Sequence, residues 1–136
     1  MRKNISPPLW GPGAWKFIHY IALAYPENPS TKEKENYKNF LTNLQNVLPC
    51  QNCSNHYGNN LQKYPLDQAL DNTQSLFRWT VDIHNEVNQD LNKRNYSYEE
   101  ALKLYSETNT DYNDLIFKVG CVLLILFVGF FIYKKK

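Results

Sequence analysis

The sequence is poor in the residues that announce several common architectures. It holds three cysteines, five glycines and seven prolines in 136 residues. Three cysteines cannot build the disulfide lattice of a small secreted scaffold. So little glycine and proline excludes a collagen-like or low-complexity chain. There is no Gly-x-Gly-x-x-Gly and no Gly-Lys-Ser/Thr, so the usual phosphate-cradling loops are missing. Strong charge of one sign is missing too: the formal net charge is +2, with residues 1–114 at −2 and residues 115–136 at +4. A nucleic-acid footprint needs Lys and Arg clustered on the domain itself, so no nucleic-acid partner is expected. The N-terminal stretch MRKNISPPLWGPGAW has no apolar run, so it is not expected to act as a secretory signal peptide.

Hydrophobic residues make up 43% of the chain and charged residues 21%, the balance of a folded protein. The longest apolar run closes the sequence: Leu115–Tyr133 reads LIFKVGCVLLILFVGFFIY, followed by Lys134, Lys135 and Lys136. As a helix it reaches about 28 Å, near the thickness of a bilayer core. Lys118 can snorkel, and Tyr133 and the lysines suit an interface. The expectation is one C-terminal transmembrane helix, with Cys121 inside it.

The remainder carries helical periodicity. Ala14, Trp15, Ile18, Ile21, Ala22 and Tyr25 recur at helical spacing after Gly11-Pro12-Gly13, and Pro26 and Pro29 close the segment. Ser30-x-x-Glu33 is a capping box ahead of Tyr37, Phe40, Leu41, Leu44, Val47 and Leu48. Pro49 breaks that helix, and a third begins near Cys50 and ends at Pro65. A fourth, capped at Asn72 or Thr73, carries Leu76, Trp79 or Thr80, Ile83, Val87 and Leu91. Ser97-x-x-Glu100 caps a short fifth, with Ala101, Leu102 and Tyr105 inward. No segment alternates long enough for a strand. The class is all-α: a four-helix bundle plus a short fifth helix.

Two motifs carry chemistry. Cys50-Gln51-Asn52-Cys53, with His56 following, lies at a helix start, where one turn brings the sulfurs together and the helix N-terminus favours a thiolate. A zinc half-site or two unrelated buried thiols compete with a redox disulfide. A c-type haem is excluded because Ser54, not His, follows the second cysteine, and a thioredoxin fold because the βαβ context is missing. The second motif is His84-Asn85-Glu86-Val87-Asn88 with Lys93 downstream. On a helix, His84, Val87 and Asn88 share one face. Trp15 and His19 stand one turn apart on the first helix. Taken alone, both sets also fit an ordinary helix surface or core.

In order, Trp10-Gly11-x-x-x-Trp15-x-x-x-His19, Tyr25-Pro26, Pro49-Cys50-x-x-Cys53-x-x-His56 and Trp79-x-x-x-x-His84-Asn85-x-Val87-Asn88-x-x-Leu91-x-Lys93 resemble the Erv/ALR family of FAD-dependent sulfhydryl oxidases. The resemblance spans about Trp10 to Tyr98. It implies helices cradling FAD, a homodimer, and thiol oxidation with O₂ reduced to H₂O₂. It implies that Cys50 exchanges with substrate and that Cys53 lies next to the flavin. It further implies Gly11, Trp15, His19, Tyr25, Cys53, His84, Asn85, Val87, Asn88 and Lys93 as cofactor contacts. Many members carry a second, structural disulfide where this chain has Val81 and Tyr98, and a shuttle cysteine pair that this chain lacks. The compact form with a membrane segment resembles versions encoded by large DNA viruses.

The expected organisation is an N-terminal extension over 1–9, an oxidase domain over 10–106, a linker over 107–114, a transmembrane helix over 115–133 and a basic tail over 134–136. Expected partners are a thiol-containing protein or a small dithiol relay protein, O₂ and a membrane. The expected placement is a cellular endomembrane or virion membrane with the domain facing the cytosol. A glycan at Asn52-Cys53-Ser54 would otherwise block the redox motif. The competing reading is a tail-anchored helical adaptor whose cysteine pair binds zinc or is inert.

Overall fold

The computed structural model describes residues 3–106, 116–123 and 134. Residues 3–106 hold five α-helices and one 3-10 turn, and no described residue is in a strand. The helices are α1 (Pro7–Leu23), α2 (Thr31–Val47), α3 (Gln51–Lys63), α4 (Thr73–Asp90) and α5 (Tyr98–Ser106), with the 3-10 turn at Leu66–Ala69 between α3 and α4.

The caps follow the sequence signals. Ser30 accepts from the Glu33 N–H while the Glu33 carboxylate accepts from the Ser30 N–H at 2.7 Å. Asn72 and Ser75 form the same reciprocal pair at α4, and Ser97 with Glu100 does so at α5. Cys50 is the N-cap of α3 rather than its first residue.

Three expectations need correction. The first helix opens at Pro7, not after Gly13, and runs through Gly11, Pro12 and Gly13. Pro7 and Pro8 sit in the first turn, where the missing N–H would have had no helical partner. Pro12 forfeits one bond to the Pro8 carbonyl on an exposed face, where solvent can reach the freed carbonyl. The packing of α1 on α4 outweighs that loss. The apolar stripe of α2 is only partly interior: Leu41 is buried, while Phe40 and Val47 are exposed. Leu91 and Leu102 are likewise exposed, Leu91 because it caps α4 instead of continuing it.

The core centres on α4, which packs against α1, α3 and the 3-10 turn, while α2 packs on α3. Leu76, Thr80, Val81 and Ile83 from α4, with Leu41 and His19, are the largest fully buried side chains. At the α2–α3 crossing a Cβ on Gly58 would stand 2.9 Å from the Gln45 side-chain oxygen, so glycine permits that approach. Where the resemblance leads one to expect a structural disulfide, Val81 is buried and the Tyr98 hydroxyl donates to Asp82 at 2.8 Å. The Arg78 guanidinium covers the Tyr98 ring. A tyrosine, an aspartate and an arginine thus join the start of α5 to α4.

Met1–Ala101 form one unit and Leu102–Lys136 a second. In the second, residues 116–123 are helical and their side chains exposed. No helix among the described residues is long and apolar enough to cross a membrane. Most of the expected 107–114 linker and 115–133 span lies outside the described residues.

Candidate active site

Helix pairing brings the sequence motifs to one end of the bundle. His19 meets Thr80 and Trp15 meets His84, so α1 and α4 run antiparallel. Trp79 Nε1 donates to the Tyr64 carbonyl and His56 meets Asp90, so α3 and α4 are antiparallel as well. The first half of α1, the start of α3 and the last half of α4 therefore converge. Trp10, Trp15, Cys50, Cys53, His84 and Asn88 all lie in those stretches.

Cys50 and Cys53 form a disulfide with a Cα–Cα distance of 5.2 Å. Pro49 bars Leu48 from the helical region and so ends α2, and Cys50 follows in an extended conformation, from which α3 begins. The Cys50 sulfur accepts from the Cys53 N–H at 3.2 Å. After reduction, this position at a helix N-terminus stabilises a thiolate on Cys50. Cys50 is the more buried partner, at 7% exposure, and Cys53 is half-buried. Among the described residues no cluster of three His, Cys, Asp or Glu side chains is placed to hold a metal ion. Among those residues the zinc reading of the pair has no ligand set to complete it.

An ordered chain of hydrogen bonds leads out of the core. Thr80 has one hydroxyl proton and donates it to the Phe77 carbonyl at 2.7 Å. Its oxygen therefore accepts from His19 Nδ1–H at 2.9 Å. That leaves His19 Nε2 as an acceptor, which takes the proton of His84 Nδ1 at 3.0 Å. His84 Nε2 is left with a bare lone pair. Burial, helped by His84, lowers the His19 pKa to about 3. Burial, helped by the Lys93 charge, lowers that of His84 to about 4. Both rings are neutral at pH 7, as the chain requires. Trp15 stacks on His84 with centroids 4.2 Å apart and planes within 7°.

Other residues of the two motifs are placed differently from one another. Asn85 spends its amide on the loop after α4: Nδ2 donates to the Tyr96 carbonyl at 2.9 Å and Oδ1 accepts from the Tyr96 N–H at 3.0 Å. Tyr25 is buried away from the cysteines, its hydroxyl donating to the Leu70 carbonyl at 3.0 Å. Gly11 is half-buried, and a Cβ there would meet nothing within 4 Å. Val87 is half-buried beside buried Asn88, and Lys93 is exposed just past α4. Thr80 went unrecognised in the sequence as a site residue. Its signal is position, a hydroxyl one turn before His84 on an otherwise apolar face.

Three buried polar atoms among the described residues lack a hydrogen-bond partner: Ser54 Oγ, Asn60 Nδ2 and Asn88 Nδ2. Native interiors rarely leave such atoms unpaired. Asn60 lies in the last turn of α3, away from the converging stretches, but Ser54 and Asn88 lie within them and are open to a ligand rich in acceptors and donors. With the flat Trp15–His84 stack, the bare His84 nitrogen and the Lys93 charge, they suit a planar, polar, anionic group such as FAD.

A small helical bundle with a disulfide at a helix start beside an aromatic and histidine cradle defines a redox class, and known proteins of that class match this chain. Residues 12–107 match the Erv1 / Alr family. A probable FAD-linked sulfhydryl oxidase of Acanthamoeba polyphaga mimivirus is 41% identical, over 78% of this chain and 75% of that protein. The FAD-linked sulfhydryl oxidase of an African swine fever virus isolate is 34% identical, over 73% of this chain and 82% of that protein. The fold is similar to the crystal structure of the yeast Erv1 core, with a TM-score of 0.71 at 23% identity, covering 78% of this chain and 88% of that one. The chain belongs to the Erv1 / Alr family.

Proposed function

We propose that this protein oxidises pairs of protein thiols to disulfides through Cys50 and Cys53, as an FAD-dependent sulfhydryl oxidase of the viral type. The observation that carries the reading is the Cys50–Cys53 disulfide at the start of α3, at the same end of the bundle as Trp15, His84 and Asn88. The names of its relatives from mimivirus and African swine fever virus agree with it. The adaptor reading leaves the orphaned polar atoms and the ordered histidine chain without a purpose.

A substrate thiolate attacks the Cys50 sulfur, the Cys50–Cys53 bond breaks, and Cys53 leaves as a thiolate. A second substrate thiolate then attacks the substrate sulfur of the mixed disulfide. The substrate disulfide forms and Cys50 is released as a thiolate, held by the α3 N-terminus. Cys53, the less buried residue of the pair, hands the electron pair onward as the Cys50 thiolate re-forms its bond to the Cys53 sulfur, which restores the disulfide. FAD, when bound, accepts two electrons and reduces O₂ to H₂O₂, so that two thiols and O₂ yield one disulfide and H₂O₂. Trp15, His84, Val87, Asn88 and Lys93 would hold it, with the buried His19, whose ring nitrogens meet Thr80 and His84, fixing the His84 ring. Gly11 would allow close approach, Asn85 would brace the loop beside it, and Tyr25 would fix the far end of α1.

Two further assignments belong to the same proposal. The apolar residues that α1 and α2 leave exposed include the edge-to-face pair Phe17 and Phe40, and these support a homodimer through that face. The run 115–133, with exposed apolar helix at 116–123, supports a single-pass anchor in an endomembrane or virion membrane, and the Asn52-Cys53-Ser54 pattern, where a glycan would block the redox motif, supports an oxidase domain facing the cytosol.

The test is optical and chemical. Purified protein should be yellow with a flavin spectrum, consume O₂ with a dithiol and release equimolar H₂O₂. Colourless protein with no thiol-dependent O₂ uptake after incubation with FAD would refute the reading. Protease protection of the membrane-inserted chain tests the anchor and its orientation separately.

A further inference from the structure

The chain ahead of α1 lies across the redox motif. The Ile5 N–H donates to the Pro49 carbonyl at 2.7 Å, and Asn4 Oδ1 accepts from the Gln51 N–H at 3.3 Å. These contacts fall on the residues immediately before and after Cys50. A third fixes the strap from behind: Trp10 Nε1 donates to the Ile5 carbonyl at 3.2 Å. Residues 3–6 have no regular structure and are exposed, while Cys50, between the two residues they bond, is buried. This burial is at odds with the chemistry of exchange, which needs the Cys50 sulfur approached in line with the Cys50–Cys53 bond.

We propose that residues 3–6 occupy the docking place of the substrate, and that a cysteine-bearing extended segment of a protein substrate displaces them. Such a segment can donate a backbone N–H to the Pro49 carbonyl and accept from the Gln51 N–H, as Ile5 and Asn4 do. Its cysteine then falls over Cys50. The Pro49 bond is main-chain pairing, which supplies affinity with little demand on side-chain identity, while the Gln51 bond takes any carbonyl or carboxylate oxygen placed where the Asn4 side chain now stands. Asn4 and Ile5 are thereby specificity-determining residues. A substrate that replaces both hydrogen bonds reaches Cys50 at little net cost. A small thiol that replaces neither must wait for the strap to lift by itself. The proposal rests on the thiol oxidase reading for its consequence in turnover, but the strap's cover of Cys50 can be measured without it.

The experiment compares the full chain with the double variant Asn4→Ala, Ile5→Pro, which removes the side-chain acceptor and the backbone donor. Both proteins are reduced, and alkylation of Cys50 by a maleimide is followed by mass spectrometry of the Cys50 peptide. Each lost hydrogen bond of ordinary strength is worth about fivefold, so Cys50 should react about 5- to 25-fold faster in the variant. Turnover of dithiothreitol should rise by a similar factor, and the preference for a reduced, unfolded protein over dithiothreitol should fall. Unchanged alkylation of Cys50 would overturn the proposal, as would a loss of protein-thiol turnover with dithiothreitol turnover unchanged. Should neither protein oxidise any thiol, the oxidase reading fails, and the alkylation rates still decide the strap. If the variant does not fold, hydrogen exchange on the wild-type chain decides. The Gln51 amide, shielded by the strap alone, should exchange at least about tenfold faster than the interior Tyr57 amide. Equal protection of the two amides would overturn the proposal.

Discussion

His84 gives the proton of its Nδ1 to His19 Nε2 across 3.0 Å, and that direction is set by Thr80 one turn earlier on the same helix. Replacing Thr80 by Val keeps the volume and removes the oxygen that receives the His19 proton. A buried N–H left unpaired costs about 1–3 kcal/mol, so Thr80→Val should lower stability by that amount and weaken flavin retention. Thr80→Ser should restore both. Nitrogen-15 spectra of the wild type should show His84 unprotonated at Nε2. A protonated Nε2 there would contradict the ordered chain.

Acidification should loosen the same region. In the folded protein His19 titrates at about 3 and His84 at about 4, below the ordinary 6.5. Between pH 6.5 and 4 the unfolded chain therefore binds protons that the folded chain refuses. The stability contributed by the two neutral rings is complete above pH 6.5 and declines as pH falls through that window. The slope approaches about 1.4 kcal/mol per pH unit for each ring that titrates only on unfolding. Thermal unfolding at pH 7.5 and pH 5 should show the loss, and His84→Gln should reduce the difference.

The two cysteines should separate by phenotype. Cys53→Ala should abolish turnover with every thiol. Cys50→Ala should keep its flavin and lose turnover of protein dithiols. Visible spectra and O₂ uptake distinguish the two, and full activity in either variant would remove the pair from its redox role.

Trp15→Ala and His84→Ala each remove one plane of the stack. Both should reduce flavin content and thermal stability together, because a ligand that binds only the folded state stabilises it by mass action. Adding excess FAD should recover part of the lost melting temperature. A variant that keeps full flavin and the wild-type melting temperature would reduce the stack to ordinary packing.

The link between α5 and α4 should be modest but measurable. Tyr98→Phe deletes the hydrogen bond to Asp82 and keeps the ring under Arg78. Because Tyr98 is partly exposed, the expected loss is at most about 1 kcal/mol, a few degrees in melting temperature.

Periodicity and capping chemistry carried most of the fold, because Ser30, Asn72 and Ser97 act locally and their partners lie three residues away. The start of α1 was hidden because Gly11-Pro12-Gly13 disfavours a helix locally, and only packing against α4, sixty or more residues away, overrides it. The 3-10 turn at Leu66–Ala69 has no periodic signature in four residues. At the site, the Cys50–Cys53 spacing and the His84–Asn88 face were legible as helix geometry. The His19–Thr80 bond joins residues 61 apart, and the Asn4–Gln51 bond joins residues 47 apart. Pairings at such distances leave no local pattern to read.

The disulfide that cycles closes a ring of only four residues, Cys50 to Cys53. Opening so small a ring frees little chain entropy, less than the roughly 3 kcal/mol associated with a 15-residue loop. Tyr98, Asp82 and Arg78 supply an α4–α5 link that no reductant can cut. The scaffold therefore loses only about 2 kcal/mol of chain-entropy stabilisation when the pair is reduced, and each turnover acts chiefly on charge and nucleophilicity at the start of α3.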